Sequence, residues 1–142
     1  MKNNAIRMFL ALGAACVCVS ALDAQPNALA AKVPFAFQVG DKTLPAGTYR
    51  VSEYGYTGVP ILQNANTGDS IFVAGASHSL DPVRPGRLVF HCYGPDGCFL
   101  AEIWPPRGFG SAVSKTRTEK EILKGERSRE MATISIDLRR AD

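Results

Sequence analysis

The chain has 142 residues, with 16 Lys and Arg against 13 Asp and Glu, a formal net charge of +3 and 46% hydrophobic residues. That charge balance is too even to argue for nucleic acid, and the length suits one domain with one core. Beyond the N-terminal segment, no stretch is long or apolar enough to cross a bilayer.

Met1 to Arg7 carries Lys2 and Arg7 and no acid, and Met8 to Leu22 is an almost unbroken apolar run followed by small residues. A positive end, an apolar middle and an Ala-rich zone are the layout of a secretory signal peptide. The run of about 15 residues is short for a membrane span, which needs roughly 20. Asp23 then breaks it, so cleavage is expected rather than anchoring. Two cuts fit: after Ala24, leaving Gln25 first, or after Ala30, with Ala28 and Ala30 in the A-x-A arrangement. The first lies closer to the apolar run and is preferred, giving a leader over 1–24 and a single β-rich domain over 25–142. The alternatives are a retained helical anchor and a lipoprotein cut before Cys16. Gly13-Ala14-Ala15 precedes that cysteine, without the usual leucine three positions back. Export places the mature protein in the periplasm or outside the cell, where disulfides persist. No cofactor is expected there.

Val33-Pro34-Phe35-Ala36-Phe37-Gln38-Val39 alternates, with Val33, Phe35, Phe37 and Val39 on one face. This predicts a strand, and Pro34 places it at an edge or a strand start. Gly40-Asp41-Lys42 and Thr43 to Thr48 are turn regions. Tyr49 to Tyr54 and Val59 to Gln63 are predicted strands, separated by Gly55 and Gly58, and 64–69 is a polar turn. Ser70 to Ser77 is predicted as one strand, and 78–86 as a loop carrying Pro82 and Pro85.

Gly94-Pro95-Asp96-Gly97 has strong turn chemistry and apolar runs on both sides. It predicts a hairpin of Arg87 to Tyr93 with Cys98 to Trp104. Cys92 then faces Cys98, Phe90 faces Leu100, and Leu88 faces Glu102. After export, Cys92 and Cys98 are expected to form a disulfide staple at the hairpin tip. A redox pair would use a Cys-x-x-Cys spacing at a helix start, and five residues intervene here. A metal would draw on His91, His78 and the two thiols. His91 and Cys92 are adjacent in a strand and point to opposite faces, so no metal is expected. Leu88, Phe90, Leu100 and Trp104 are expected on one face, and Val89, Tyr93, Phe99, Ala101 and Ile103 on the other. A hairpin apolar on both faces is usually covered on both.

The covering element is predicted to be a helix. Thr116 with Glu119, and Thr118 with Glu121, have capping-box spacing, and Gly125 is a suitable stop. Ile122 and Leu123 are its apolar residues, and its charges read as a solvated face. Ala132, Ile134, Ile136 and Leu138 then alternate with polar residues as a last strand. The expected fold is all-β: a small antiparallel β-barrel or β-sandwich of about seven strands with one short C-terminal helix.

The run 33–51, VPFAFQVGDKTLPAGTYRV, resembles an uncharacterised family of small exported bacterial β proteins. LVFH at 88–91 before Tyr93-Gly94, FLAEIW at 99–104 and the basic segment at 114–121 resemble later features of that family. The resemblance implies shape and export and transfers no catalytic residue. Leu44 to Val51 also looks like a phrase of extracellular β-sandwich modules, in which a Pro-Gly turn launches a strand anchored by Tyr.

Few residues suggest chemistry. Glu102 lies in an apolar strand two residues before Trp104 and is the weak catalytic candidate, as a buried acid. The plainer reading pairs it with Arg87 or Arg107. A second carboxylate for hydrolysis would come from Glu53, Asp69 or Asp81, and spacing selects none. Ser77, His78, Ser79 and Asp81 are close in sequence without a Gly-x-Ser-x-Gly elbow. Trp104, Tyr54 and Tyr56 are weak ligand-binding candidates as aromatic platforms. The resulting expectation is an exported non-catalytic binding or structural module. Its partner would be a small molecule, a glycan or an envelope component. The rivals are a hydrolase using Glu102 and a surface protein lipid-anchored through Cys16.

Overall fold

The computed structural model describes residues 29–78, 85–105, 110–125 and 131–140. The leader, Cys16, Asp81 and Arg107 lie outside those residues, as do Ser79 and most of the predicted 78–86 loop. Twelve strands and one α-helix are described, in place of the seven strands expected. They are β1 (Leu29–Val33), β2 (Phe37–Val39), β3 (Lys42–Leu44), β4 (Gly47–Tyr54), β5 (Val59–Asn64), β6 (Ser70–Phe72), β7 (Gly75–His78), β8 (Arg87–Cys92), β9 (Cys98–Trp104), β10 (Gly110–Val113), α1 (Arg117–Lys124), β11 (Ala132–Asp137) and β12 (Arg139–Arg140).

Three of the five extra strands arise because the chain changes sheet within a predicted strand; the other two are β3, which pairs with β2 inside the predicted turn region at 40–48, and β10, which pairs with β7 and β9. One sheet runs β12-β1-β4-β5-β6, and the other runs β11-β8-β9-β10-β7 with β2 and β3 attached. The predicted strand over 33–39 is therefore two strands. β1 pairs with β4 in the first sheet, while β2 pairs with β3 and β9 in the second. Pro34 sits at the corner, where a residue without an N–H leaves no ladder bond unmade. The predicted strand over 70–77 also breaks in two. Val73, 1% exposed, turns inward; its N–H makes the last bond of the β5–β6 ladder, to the Pro60 carbonyl, before the chain crosses to the second sheet as β7. Leu138 makes a third corner, where its N–H donates to Gly86. Corners of this kind join the layers of a sandwich. The two sheets share no continuous ladder, so the barrel alternative is corrected to a sandwich. One pair, β2 with β9, is parallel; every other pair is antiparallel.

Between the sheets lie Val33, Phe37, Val39, Tyr49, Leu62, Leu88, Phe90, Leu100 and Ile103, each 3% exposed or less. Phe90 meets Phe35 and Phe37 edge-on, with ring centroids 5.2 and 5.1 Å apart, and Phe37 meets Tyr49 at 5.1 Å. Edge-to-face rings of this kind add to the stabilisation from burial alone. Tyr49 also ties down its own turn: its hydroxyl donates to the Pro45 carbonyl at 2.6 Å. That is how the Pro-Ala-Gly turn launches β4.

The central hairpin holds the largest correction. Cys92 pairs with Cys98 and Phe90 with Leu100, as expected, but Leu88 pairs with Ile103 and Val89 with Glu102. The register shifts between Val89 and Phe90, leaving Ala101 as an extra residue in β9. One added residue reverses which face every later side chain takes. Ile103 therefore joins the core, and Trp104 leaves the face that Leu88 and Phe90 share.

Candidate functional site

The two cysteines at the hairpin tip form the disulfide, with their Cα atoms 4.0 Å apart. Gly94 and Gly97 flank the turn with φ of +57° and +94°, a region that favours glycine. Among the described residues no three His, Cys, Asp or Glu side chains gather as a metal site. No helix among them is long and apolar enough to cross a membrane.

Glu102 and Trp104 lie together on the outer face of the second sheet because of the bulge. The Trp104 indole N–H donates to a Glu102 carboxylate oxygen, and the Arg87 guanidinium lies 5.0 Å from the Trp104 ring centroid. Glu102 is thus engaged by the tryptophan, with Arg87 over that ring, and Arg107, the other expected partner, lies outside the described residues. Glu53 and Asp69, two of the proposed second carboxylates, belong to the other sheet and the turn before β6. They are not brought to Glu102. Trp104 is half-buried, and Gly110 leaves room for its ring, since a Cβ there would stand 2.5 Å from Trp104 Cε3. It is packed as a wall rather than laid open as a platform. Tyr54 and Tyr56 are 56% and 109% exposed at the β4–β5 tip, where Tyr54 meets Phe72 edge-on at 5.3 Å.

A second buried cluster fills the space under α1. Thr116 caps the helix by accepting the Glu119 N–H at 3.0 Å. In a capping box the glutamate would reach back to the cap. Here Glu119 turns inward instead, 3% exposed, and accepts the Tyr93 hydroxyl at 2.8 Å. His91 Nδ1 stands 3.8 Å from the same carboxylate oxygen. Burial, then the hydrogen bond and charge of Glu119, push the Tyr93 hydroxyl from 10.0 up to about 12. The expectation of a wholly solvated charged helix face is corrected by this one residue. Glu121 is no cap; it pairs with Arg117 at 3.1 Å on the surface, where such pairs contribute little.

A groove of about 600 Å³ runs along the β12 side of the first sheet and reaches the end of β11 in the second. Lys32, Arg50, Arg139 and Arg140 line it, with Asp137 the one lining carboxylate among the described residues. The outward positions of Lys32, Arg50 and Arg139 follow from strand alternation, whereas Arg140, opposite Leu29, takes the other face of the edge strand β12. Ala31 and Val33 point into the core, so Ala30 and Lys32 point out; Tyr49 points in, so Thr48 and Arg50 point out. None of these four cations was singled out from the sequence, although Lys32 between buried Ala31 and Val33 was the available signal. A smaller recess of about 270 Å³ lies beside Leu44, Tyr49, Asn64 and Ile71. No family model, curated protein or solved structure matches the chain.

Proposed function

We propose that the chain is an exported, non-catalytic β-domain, a binding or structural module of the periplasm or cell envelope. It is read as a member of the family it resembles in its 33–51 phrase. The observation that carries the binding reading is the cationic groove on the first sheet, set on a sandwich whose interior is filled by side chains. A pocket large enough for a small ligand is usually about 300 Å³ or more. The Cys92–Cys98 disulfide supports an oxidising compartment. Strand β1 supports the earlier of the two cleavage positions. Leu29 and Ala30 pair with Arg140 and Arg139, and a cut after Ala30 would remove both partners of β12.

Expression of the full chain in a bacterial host, followed by fractionation and intact-mass measurement, tests this reading. The expected product is periplasmic or secreted, begins at Gln25 and carries an oxidised cysteine pair. A cytoplasmic product with the leader intact overturns it. A lipid-modified Cys16 would replace it with the anchored form.

A further inference from the structure

The groove is built around a small floor with cations on three strands. Ala30 of β1 pairs with Arg139 on one side and with Arg50 on the other. Neighbouring strands lie about 4.8 Å apart, so the two arginines flank a single methyl group with their backbones about 10 Å apart. Lys32 stands two residues further along β1 on the same face, opposite Thr48, and Arg140 adjoins Arg139. Among the described residues, none of the four cations has an ion pair or a side-chain hydrogen bond. Like charges held this closely without partners repel, and a bound anion removes that repulsion. Two guanidinium forks present paired donors suited to phosphate or carboxylate.

We propose that this groove binds an oligoanion, a ligand carrying two or more phosphate or carboxylate groups within about 10 Å of one another. Arg50 and Arg139 each take one anionic group across Ala30. Lys32 neutralises the flanking charge, and Thr48, its partner across the ladder, supplies a hydroxyl beside it. A single small anion would reach only one of the two arginines and leave most of the groove empty. The inference rests on the binding-module reading and gives that module its ligand class.

Titration calorimetry on the purified mature protein at low ionic strength tests it, with inorganic phosphate, inorganic tripolyphosphate and trigalacturonate as probes. The first oligoanion represents phosphorylated ligands and the second acidic glycans. At least one is expected to bind about tenfold or more tightly than inorganic phosphate, and the tighter of the two names the source. Binding should weaken as salt rises. Arg50→Gln with Arg139→Gln should reduce the affinity about tenfold or more. Ala30→Asp, which places a carboxylate between the arginines, should do the same while Ala30→Asn does not. Lys115→Gln with Lys120→Gln, a charge-matched pair away from the groove, should leave binding unchanged. The inference is overturned by no binding of either oligoanion, by full affinity in the double arginine variant, or by an equal loss in the lysine control. An exported protein that ignores both oligoanions would sink the groove's ligand class and leave the export reading standing.

Discussion

Tyr93→Phe isolates the bond that holds α1 to the central hairpin. The change deletes one oxygen and leaves the ring packed against Phe99, whose centroid is 5.8 Å away. Tyr93 is 1% exposed and Glu119 3%, so water cannot readily replace the lost donor. A hydrogen bond to a buried charged group is worth about 1.5–3 kcal/mol, because its loss leaves the carboxylate short of a partner. For a domain of this size that is a fall in Tm of roughly 6–12 °C. Urea unfolding followed by circular dichroism measures it. The midpoint should fall with an unchanged slope, since the same surface is exposed on unfolding. Glu119→Gln keeps an acceptor for the hydroxyl without the charge and should cost less than Tyr93→Phe. Alkaline unfolding supplies a second readout. The folded-state pKa of Tyr93, about 12, lies above its ordinary 10.0. The native state therefore holds the proton that the unfolded chain releases. The contribution is complete below pH 10 and is lost as pH rises through 12. Tyr49, also raised by burial, adds a loss of the same sign. Tyr93→Phe should remove the Tyr93 part of that loss and keep the Tyr49 part. A variant within about 0.5 kcal/mol of the parent, with the same decline above pH 10, would refute the reasoning.

Replacing both Cys92 and Cys98 by alanine opens a very short loop, so the expected cost is about 2 kcal/mol; unfolding of the reduced and oxidised parent checks it without mutation. Gly75→Ala should destabilise by about 2 kcal/mol or more, because its Cβ would fall on the Ala112 carbonyl oxygen across the β7–β10 pair, where backbone must move. Thermal melts should show a large drop there. Phe90→Ala removes a fully buried ring at the centre of the aromatic cluster and should cost roughly 3–5 kcal/mol. Tyr56→Ala, at the exposed tip, should change the unfolding free energy from urea titration by less than about 0.5 kcal/mol.

Local rules made much of the fold legible. Alternation located β4 and β11, bounding turns located β5, and the apolar runs beside Gly-Pro-Asp-Gly located β8 and β9, with Cys92 opposite Cys98 and Phe90 opposite Leu100. What failed were the long alternating runs at 33–39 and 70–77. A period of two continues smoothly through a corner, so it records which side faces the core and not which sheet the strand has joined. The bulge at Ala101 had one clue. Strict alternation would have set Glu102 in the core face between Leu100 and Trp104, and an unpaired carboxylate is costly there. A single extra residue sends Glu102 outward and brings Ile103 in.

The sequence alone carried the strand-rich class, the hairpin with its paired cysteines, and the helix between Thr116 and Gly125, because these depend on neighbours a few residues apart. The sites depended on residues far apart in the chain. Glu119 sits among solvated helix charges in sequence, and its burial depends on Tyr93, 26 residues earlier, which donates to it. Arg139 and Arg50 share a row only because Ala30 pairs with both. Pairings across such separations are set by how the two sheets close on their common core, and no local pattern encodes that choice.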